Sequence, residues 1–193
     1  MADEKKVKKN DQSKELLDVL DENGVFQGRV ASRGDVHRLG LWHRAIIVAL
    51  VNDDNKVLIQ KRSLKKEKFP GLWDLSVAGH LPAGQDSVSC AAAEVMEEIG
   101  YMLPKKVQMR DFRFMFSFRN QISLSDTFIE NQFYDFFIYN VGELDISSLS
   151  VQESEVSELK WATAFEVKTL AAQGLMHPRN EWIEVLYRYI TKF

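Results

Sequence analysis

Three glutamates in one short stretch are the residues of this sequence best suited to chemistry. Glu94, Glu97 and Glu98 stand at positions i, i+3 and i+4, and side chains at these spacings meet on the surface of a helix. A solvated helix face is one interpretation. However, no Lys or Arg occurs from Gln85 to Tyr101, and unpaired like charges at this spacing are destabilising. Carboxylate oxygens on one helix suit a hard cation such as Mg²⁺ or Mn²⁺.

The residues around the glutamates predict the element that carries them. Gly79 to Gly84 contains two glycines and a proline, which indicates a loop. Asp86 or Ser87 can cap a helix that ends at Gly100. The glutamates are expected on the outer side of this helix. Its inner face is apolar and is expected to pack on a core; the face consists of Val88, Ala92, Val95 and Ile99.

This stretch resembles the signature of the Nudix hydrolase superfamily. Three positions depart from it: Gln85 stands where the family has a Glu, Ala93 where it has an Arg, and Tyr101 replaces an aliphatic residue. In the family, that Glu and Arg support the loop and helix partly by pairing with each other, so their joint loss is coherent. The matching residues are Gly79, Glu94, Val95, Glu97, Glu98 and Gly100.

The resemblance implies a fold and a metal site. The fold is a Nudix-type α/β/α sandwich with a central mixed sheet and, here, an N-terminal β-hairpin extension. The metal, Mg²⁺ or Mn²⁺, is expected on Glu94, Glu97, Glu98 and the carbonyl of Gly79. Glu98 is expected to orient or deprotonate the attacking water.

The flanking segments resemble type I isopentenyl diphosphate isomerase, a Nudix-fold relative. This resemblance implies that Arg62 and Lys66 bind a diphosphate. It also implies a second metal site at His37, His43, His80 and Glu130, with Gln132 where a fifth ligand, a Glu, would stand. Each histidine also has a purely structural interpretation, in a short helix, an edge strand or a loop. The matching segments are 37–43, 61–62, 70–73, 79–80 and 130–132.

One departure from the isomerase decides between functions. Its catalytic Cys is replaced by Ala78, and Cys90, the one cysteine of the chain, falls within the predicted helix, where packing is its expected role. We therefore expect a Mg²⁺-dependent hydrolase of a diphosphate, either a nucleoside diphosphate linked to X or a related organic diphosphate. The alternatives are a non-catalytic diphosphate or nucleotide binder, indicated by Gln85 and Ala93, and the isomerase.

The remaining sequence predicts one domain. At 193 residues with 45% hydrophobic content, the chain can bury a single core. Residues 1–14 are expected to be a flexible tail, and residues 15–193 the domain, with 15–40 as its extension. The expected elements are a hairpin over Leu16–Val30, helices over Ser32–Leu39, Phe165–Gln173 and Asn180–Phe193, and strands over Trp42–Leu50, Lys56–Gln60, Met109–Ser117, Glu130–Tyr139 and Glu155–Trp161.

Composition indicates which compartment and which classes of partner to expect. The net charge of −3 gives no reason to expect nucleic-acid or membrane binding. The single cysteine fits a reducing compartment, and there is neither a signal-peptide pattern nor an apolar run near 18 residues. We therefore expect a cytoplasmic protein that acts on a small molecule. A homodimer is expected by resemblance to the family.

Overall fold

The structure is a computed structural model that describes residues 15–103, 109–178 and 182–190. Within these ranges, nine strands form one mixed sheet and four helices pack on it. The predicted tail lies outside the described residues. The strands are β1 (Leu16–Leu20), β2 (Phe26–Ser32), β3 (Trp42–Asn52), β4 (Val57–Arg62), β5 (Trp73–Leu75), β6 (Val77–His80), β7 (Arg113–Ser125), β8 (Phe128–Gly142) and β9 (Val156–Ala162); the helices are α1 (Arg33–Leu39), α2 (Ser87–Ile99), α3 (Ala164–Ala172) and α4 (Ile183–Ile190).

Strand β3 is the centre of the sheet. It pairs in parallel with β8 along its whole length, from Trp42 to Asn52. Its other edge is shared by β1, β6 and β4, all antiparallel. The sheet continues through β2 beyond β1, through β5 and β9 on β4, and through β7 beyond β8. The predicted mixed sheet is thus confirmed.

Two hydrophobic cores lie on opposite faces of this sheet. Along β3, Ile46 and Val48 join the core under α2, whereas Ala45 and Ile47 join the core under α3 and α4. Because side chains alternate across a strand, a strand that is buried on both faces reads as a continuous apolar run. The arrangement is the predicted α/β/α sandwich.

Most predicted elements are found close to their expected positions. The N-terminal hairpin is formed by β1 and β2. Helix α1 starts after Ser32, whose hydroxyl accepts the backbone N–H of Asp35, and ends at Gly40 in a left-handed conformation. Helix α3 has a capping box between Thr163 and Glu166. The predicted ends of the last helix lie outside the described residues.

Three predicted boundaries were wrong. Gly79 was expected in a loop but belongs to strand β6, where it pairs with Ile46. Strand β7 starts at Arg113 rather than Met109 and extends to Ser125, beyond the polar stretch Arg119-Asn120-Gln121 that interrupts its apolar residues. The short strands β5 and β6 were not predicted. No described helix is long and apolar enough to span a membrane.

Candidate active site

Helix α2 is fixed at both ends, as the sequence predicts. The Asp86 side chain accepts the backbone N–H of Ser89 at 2.8 Å and caps the first turn. Gly100 ends the helix in a left-handed conformation, where a Cβ would lie 2.6 Å from the carbonyl oxygen of Ser150. The helix therefore has one position on the sheet, which sets where its glutamates lie.

The three glutamates of α2 differ in exposure because the helix packs on the sheet along one side. Glu97 is exposed and Glu94 is half-buried. The expectation of an outward position was wrong for Glu98, which is only 8% exposed. Its Oε2 accepts an N–H from Nε2 of Gln60 on β4, at 3.0 Å. This hydrogen bond offsets part of the cost of burying the carboxylate.

Gly79 allows Glu94 to lie directly against strand β6. A Cβ on Gly79 would stand 2.1 Å from Oε1 of Glu94, far inside van der Waals contact. The glycine is therefore required because a carboxylate occupies the space of its side chain. It is not required for a turn, which was the reason for predicting a loop.

The glutamates of α2 have no ion-pair partner in the described part of the chain, although the charges of Lys66 and Arg62 act on Glu98. Burial, and then the charges of neighbouring glutamates, raise the pKa of Glu94 well above its usual range, and burial does the same to the pKa of Glu98. Among the described residues, no Lys or Arg forms an ion pair with Glu94, Glu97 or Glu98. A divalent cation would supply the missing positive charge, so this donor set fits Mg²⁺ or Mn²⁺.

The two cations predicted to bind a diphosphate both have protein partners in this structure. Arg62 donates to the carbonyl oxygen of Lys68 through Nε at 3.2 Å and through Nη2 at 3.0 Å. Lys66 forms an ion pair with Glu155, whose negative charge also raises the pKa of Glu98. Lys66 therefore lies near the acidic cluster, whereas Arg62 holds the loop that carries Lys66 and Lys68.

Two residues of the N-terminal extension join the site and were missed by sequence reasoning. Glu15 contributes a negative charge that raises the pKa of Glu94. Arg33 pairs with Glu15 through Nη1 at 3.3 Å, and its charge lowers the pKa of His37 and His80. A signal was present, because Arg33 precedes His37 by four residues in a predicted helix, the spacing of one helix face.

The structure brings the three predicted histidines together from three elements. His37 comes from α1, His43 from β3 and His80 from β6. One ring nitrogen from each lies within 4.8 Å of the other two. The ring centroids are 5.1 to 5.2 Å apart, so the imidazoles form a compact cluster.

Burial keeps the three imidazoles neutral. It lowers the pKa of His37 to about 3 and that of His43 to about 4, and it holds the pKa of His80 well below its ordinary value. Nδ1 of His37 lies 2.8 Å from the carbonyl oxygen of Arg33, and Nδ1 of His43 lies 3.0 Å from that of Leu41. Each Nδ1 therefore carries the proton, and each Nε2 presents a lone pair.

The other two residues of the predicted second metal site have different partners. Glu130 is buried and forms an ion pair with Lys68, a residue that sequence reasoning did not single out. Gln132 places its side-chain amide 2.9 Å from Nε2 of His43 and 3.2 Å from Nε2 of His80. The imidazole nitrogens have the geometry of ion ligands, but Glu130 and Gln132, as placed, do not complete an ion's ligand set.

The position that holds the catalytic cysteine in the isomerase carries an unreactive residue in this protein. Ala78 lies in β6, beside Gly79, and packs against the core under α3 and α4. Cys90 is buried in α2, its Sγ lies 3.3 Å from the carbonyl oxygen of His80, and burial raises the pKa of its thiol. A neutral, buried thiol is a packing residue.

Comparison with known proteins decides the family. Residues 41–186 match the model of the NUDIX domain. The chain belongs to this family. The segment matched runs from the start of β3 into α4. It therefore contains the glutamates of α2, whereas His37 and the N-terminal hairpin precede it.

Relatives of the Nudix protein include hydrolases and isomerases. It is 34% identical over 83% of its length to Nudix hydrolase 3 of Arabidopsis thaliana, of which it spans only 21%. It is 32% identical over 85% of its length to an uncharacterized Nudix hydrolase of Listeria monocytogenes, of which it spans 89%. An isopentenyl-diphosphate Delta-isomerase of Photorhabdus laumondii is 30% identical, with 81% of each chain covered. The resemblance to the isomerase-like Nudix proteins is thus confirmed.

A solved structure supports the Nudix fold. DR0079 from Deinococcus radiodurans matches with a TM-score of 0.64 at 20% identity, covering 90% of this chain and 98% of that one. Identity at this level shows the fold alone. The α/β fold class predicted from the sequence is confirmed.

Proposed function

We propose that this Nudix protein is a Mg²⁺- or Mn²⁺-dependent hydrolase of a small-molecule diphosphate, either a nucleoside diphosphate linked to X or a related organic diphosphate. One observation carries the proposal. Glu94 lies against β6 beside Gly79, Glu98 is buried beside Gln60 of β4, and neither forms an ion pair with a Lys or Arg of the described residues. Carboxylates held in this way, against burial and mutual repulsion, are suited to a metal ion.

The residues that would hold the ion are Glu94, Glu97, Glu98 and the carbonyl of Gly79. A bound Mg²⁺ supplies charge for the phosphate oxygens and lowers the pKa of a bound water. The exposure of Glu97 leaves its carboxylate accessible to an ion and a substrate that enter from solvent. The helix holds all three carboxylates at fixed spacing, which spares the site the entropy of assembling them.

Glu98 is the residue that we assign as general base. A general base works best when its pKa lies near the working pH, and the raised pKa of Glu98 brings this carboxylate closer to neutral pH. The hydrogen bond from Gln60 occupies Oε2 and fixes the carboxylate, so Oε1 is the oxygen left to orient a water molecule. Glu153 and Glu155, just before β9, are the reserve candidates for the base, and the charge of Glu155 acts on Glu98.

Cations around the acidic cluster would bind the phosphates. Lys66 can exchange Glu155 for a phosphate oxygen, which is an acceptor of greater charge. The remaining Nη group of Arg62 pairs with Asp74, with Nη1 3.7 Å from Oδ2, so Arg62 would exchange this ion pair for a phosphate oxygen. Arg33 adds a half-buried guanidinium from the N-terminal extension. Metal binding would thus belong to α2, and phosphate binding to residues of the elements around it.

Two other functions compete with hydrolysis. The binder is favoured by Gln85 and Ala93, where the family has a Glu and an Arg. Both positions are exposed, so their joint replacement leaves no buried charge unpaired, and the helix keeps its ends. The isomerase is disfavoured by Ala78 and by the inert thiol of Cys90. A homodimer and a cytoplasmic location stay predictions.

A diphosphate-cleavage screen, with the products separated by chromatography, tests the proposal. Purified protein with Mg²⁺ or Mn²⁺ would meet nucleoside di- and triphosphates, nucleotide sugars, dinucleotides and isopentenyl diphosphate. We expect metal-dependent formation of phosphomonoester products that falls by at least about a hundredfold in Glu97→Gln and Glu98→Gln variants. Undiminished cleavage in both variants would contradict the site. No cleavage, together with a rise in melting temperature on adding diphosphates, would identify a binder, and a rearranged diphosphate would identify an isomerase.

A further inference from the structure

The lone pair of His43 is already filled by a protein donor. Its Nδ1–H is committed to the carbonyl oxygen of Leu41, so Nε2 of the neutral ring can only accept. The atom 2.9 Å away is Nε2 of Gln132. If the carbonyl oxygen of Gln132 stood at this position, its lone pairs would face the lone pair of His43 and repel it. The amide N–H of Gln132 instead donates a hydrogen bond to that lone pair. The amide nitrogen therefore faces His43.

A second contact fixes the same orientation of Gln132. The hydroxyl of Tyr134 donates to Oε1 of the Gln132 amide. Tyr134 is buried in the core under α3 and α4, and it stacks on Phe118 with ring centroids 5.3 Å apart. The oxygen of Gln132 is thus turned away from the histidines, and rotating it toward them would break both hydrogen bonds.

The lone pair of His37 is filled from within the cluster. Its Nδ1–H donates to the carbonyl oxygen of Arg33, and its Nε2 lies 3.3 Å from Nε2 of His80. A proton on Nε2 of His80 makes this contact a hydrogen bond from His80 to His37. The amide nitrogen of Gln132, 3.2 Å from the same atom, then makes no hydrogen bond to His80 and donates to His43. The Nε2 atoms of His37 and His43 are thus both occupied by protein donors, and Nε2 of His80 carries a proton in place of an ion.

The carboxylate beside the cluster is neutralised by a lysine that the fold holds in place. The ammonium of Lys68 forms an ion pair with Glu130 and lies 3.8 Å from the ring centroid of Phe128. The side chains of Lys68 and Glu130 are only 15% and 6% exposed. A buried ion pair of this kind leaves no negative charge for a second cation.

The backbone around Lys68 is constrained as well. Its carbonyl oxygen accepts both hydrogen bonds from Arg62. The next residue, Phe69, has a φ of +47°, which a bulky side chain adopts only when surrounding contacts enforce it; its ring packs on that of His177, with centroids 4.4 Å apart. Lys68 is therefore held beside Glu130 by its backbone as well as by its charge.

We propose that Lys68 and Gln132 take the place of a metal ion in the histidine cluster. The ammonium of Lys68 supplies the positive charge that Glu130 requires. The amide N–H of Gln132 donates a hydrogen bond to the lone pair of His43 that would otherwise bind an ion. The cluster of three neutral imidazoles, one amide and one ion pair carries no net charge. It is complete as protein alone, so within the described residues the divalent cation of the proposed function belongs at the glutamates of α2 and not here.

Metal content tests this proposal without any measurement of activity. The wild type and the Lys68→Met/Gln132→Glu double variant would be loaded with Zn²⁺ or Co²⁺, dialysed and measured for bound metal. The double variant frees Glu130 and adds a carboxylate, giving imidazole and carboxylate ligands that suit Zn²⁺. We expect it to retain about one more ion per chain than the wild type, with the visible absorption of a low-symmetry Co²⁺ site, because the wild type retains only what the glutamates of α2 hold.

Matched variants locate the effect. Lys65→Met removes an exposed lysine from the same loop and should leave metal content at the wild-type level. Adding His43→Gln to the double variant should abolish the additional ion. The proposal is overturned if the wild type already retains one ion that His43→Gln removes. It is equally overturned if the double variant, with a normal cooperative melting transition, retains no additional ion. Because no readout is catalytic, these outcomes are separate from failure of the proposed hydrolase.

Discussion

At the residue scale, Gly79 and Glu94 share a space that holds only one side chain. We expect Gly79→Ala to push the Glu94 carboxylate aside, because the new Cβ would lie 2.1 Å from Oε1. The predicted result is a loss of Mn²⁺ affinity of about ten- to a hundredfold and a destabilisation of about 1–3 kcal/mol from overpacking. Calorimetric titration with Mn²⁺ and thermal unfolding measure the two effects.

Gly28→Ala is the control for this substitution. Gly28 has a φ of +67° and nothing within 4 Å of its Cβ position, so the change adds only backbone strain of about 1 kcal/mol. Its Mn²⁺ affinity should equal that of the wild type. If Gly79→Ala binds Mn²⁺ as tightly as Gly28→Ala does, the contact between Gly79 and Glu94 has no part in metal binding.

The neutral histidines predict a loss of stability in acid. His43 has a pKa of about 4 when folded, against 6.5 ordinarily, so below pH 6.5 the unfolded chain binds more protons than the folded one. The free energy of unfolding therefore falls as pH drops from 6.5 toward 4, and His43 accounts for about 2 kcal/mol of the fall between pH 7 and pH 5.

The contribution of His43 is measured by comparison with a variant. Urea unfolding of the wild type and of His43→Gln at pH 7 and pH 5 gives the difference directly, with EDTA present to remove free metal ions. The loss between the two pH values should be smaller in the variant by about 2 kcal/mol. Equal losses would mean that His43 is charged in the folded protein, contrary to its burial.

At the scale of elements, the end of α2 sets the surroundings of its glutamates. Gly100→Ala would place a Cβ 2.6 Å from the carbonyl oxygen of Ser150, at a φ of +67°. The loop that starts there returns to the helix, since the backbone N–H of Gln152 donates to the carbonyl oxygen of Glu98. We expect the variant to lose about 2–4 kcal/mol of stability, from strain and from the clash together.

Gly174→Ala separates these two causes. Gly174 follows α3 with a φ of +70° and nothing within 4 Å of its Cβ position, so only strain of about 1 kcal/mol is expected. Chemical denaturation of both variants measures the difference. If the two substitutions cost the same, the contact with Ser150 does not constrain the helix end.

Elements with local signals were predictable, and those without were not. Helix α2 was predicted at both ends because Asp86 and Gly100 are its caps, and caps act within a few residues of sequence. Strand β6 was missed because its glycine indicates a loop, and the reason for that glycine is a carboxylate on another element. The end of β7 was missed because the polar stretch Arg119-Asn120-Gln121 separates its apolar residues Ile122 and Leu124 from the rest of the strand.

At the scale of the whole molecule, the site joins groups that are far apart in sequence. The spacing of Glu94, Glu97 and Glu98 predicted the acidic cluster, since one helix carries it. The burial of Glu98 could not be predicted, because its hydrogen-bond partner Gln60 lies in β4, far from α2 in the sequence. Lys68 was missed for the same reason, since its partner Glu130 is far away in the sequence, whereas Arg33 could have been found from its spacing to His37 on α1.

The most direct test of the account is a titration with Mn²⁺ followed by electron paramagnetic resonance, in wild type, Glu98→Gln and the exposed control Glu143→Gln. It tests the central claim, that the glutamates of α2 bind a divalent cation, without requiring the substrate to be known. The account predicts Mn²⁺ binding in wild type and Glu143→Gln, and an affinity at least about tenfold lower in Glu98→Gln. Equal Mn²⁺ affinity in all three proteins would contradict it.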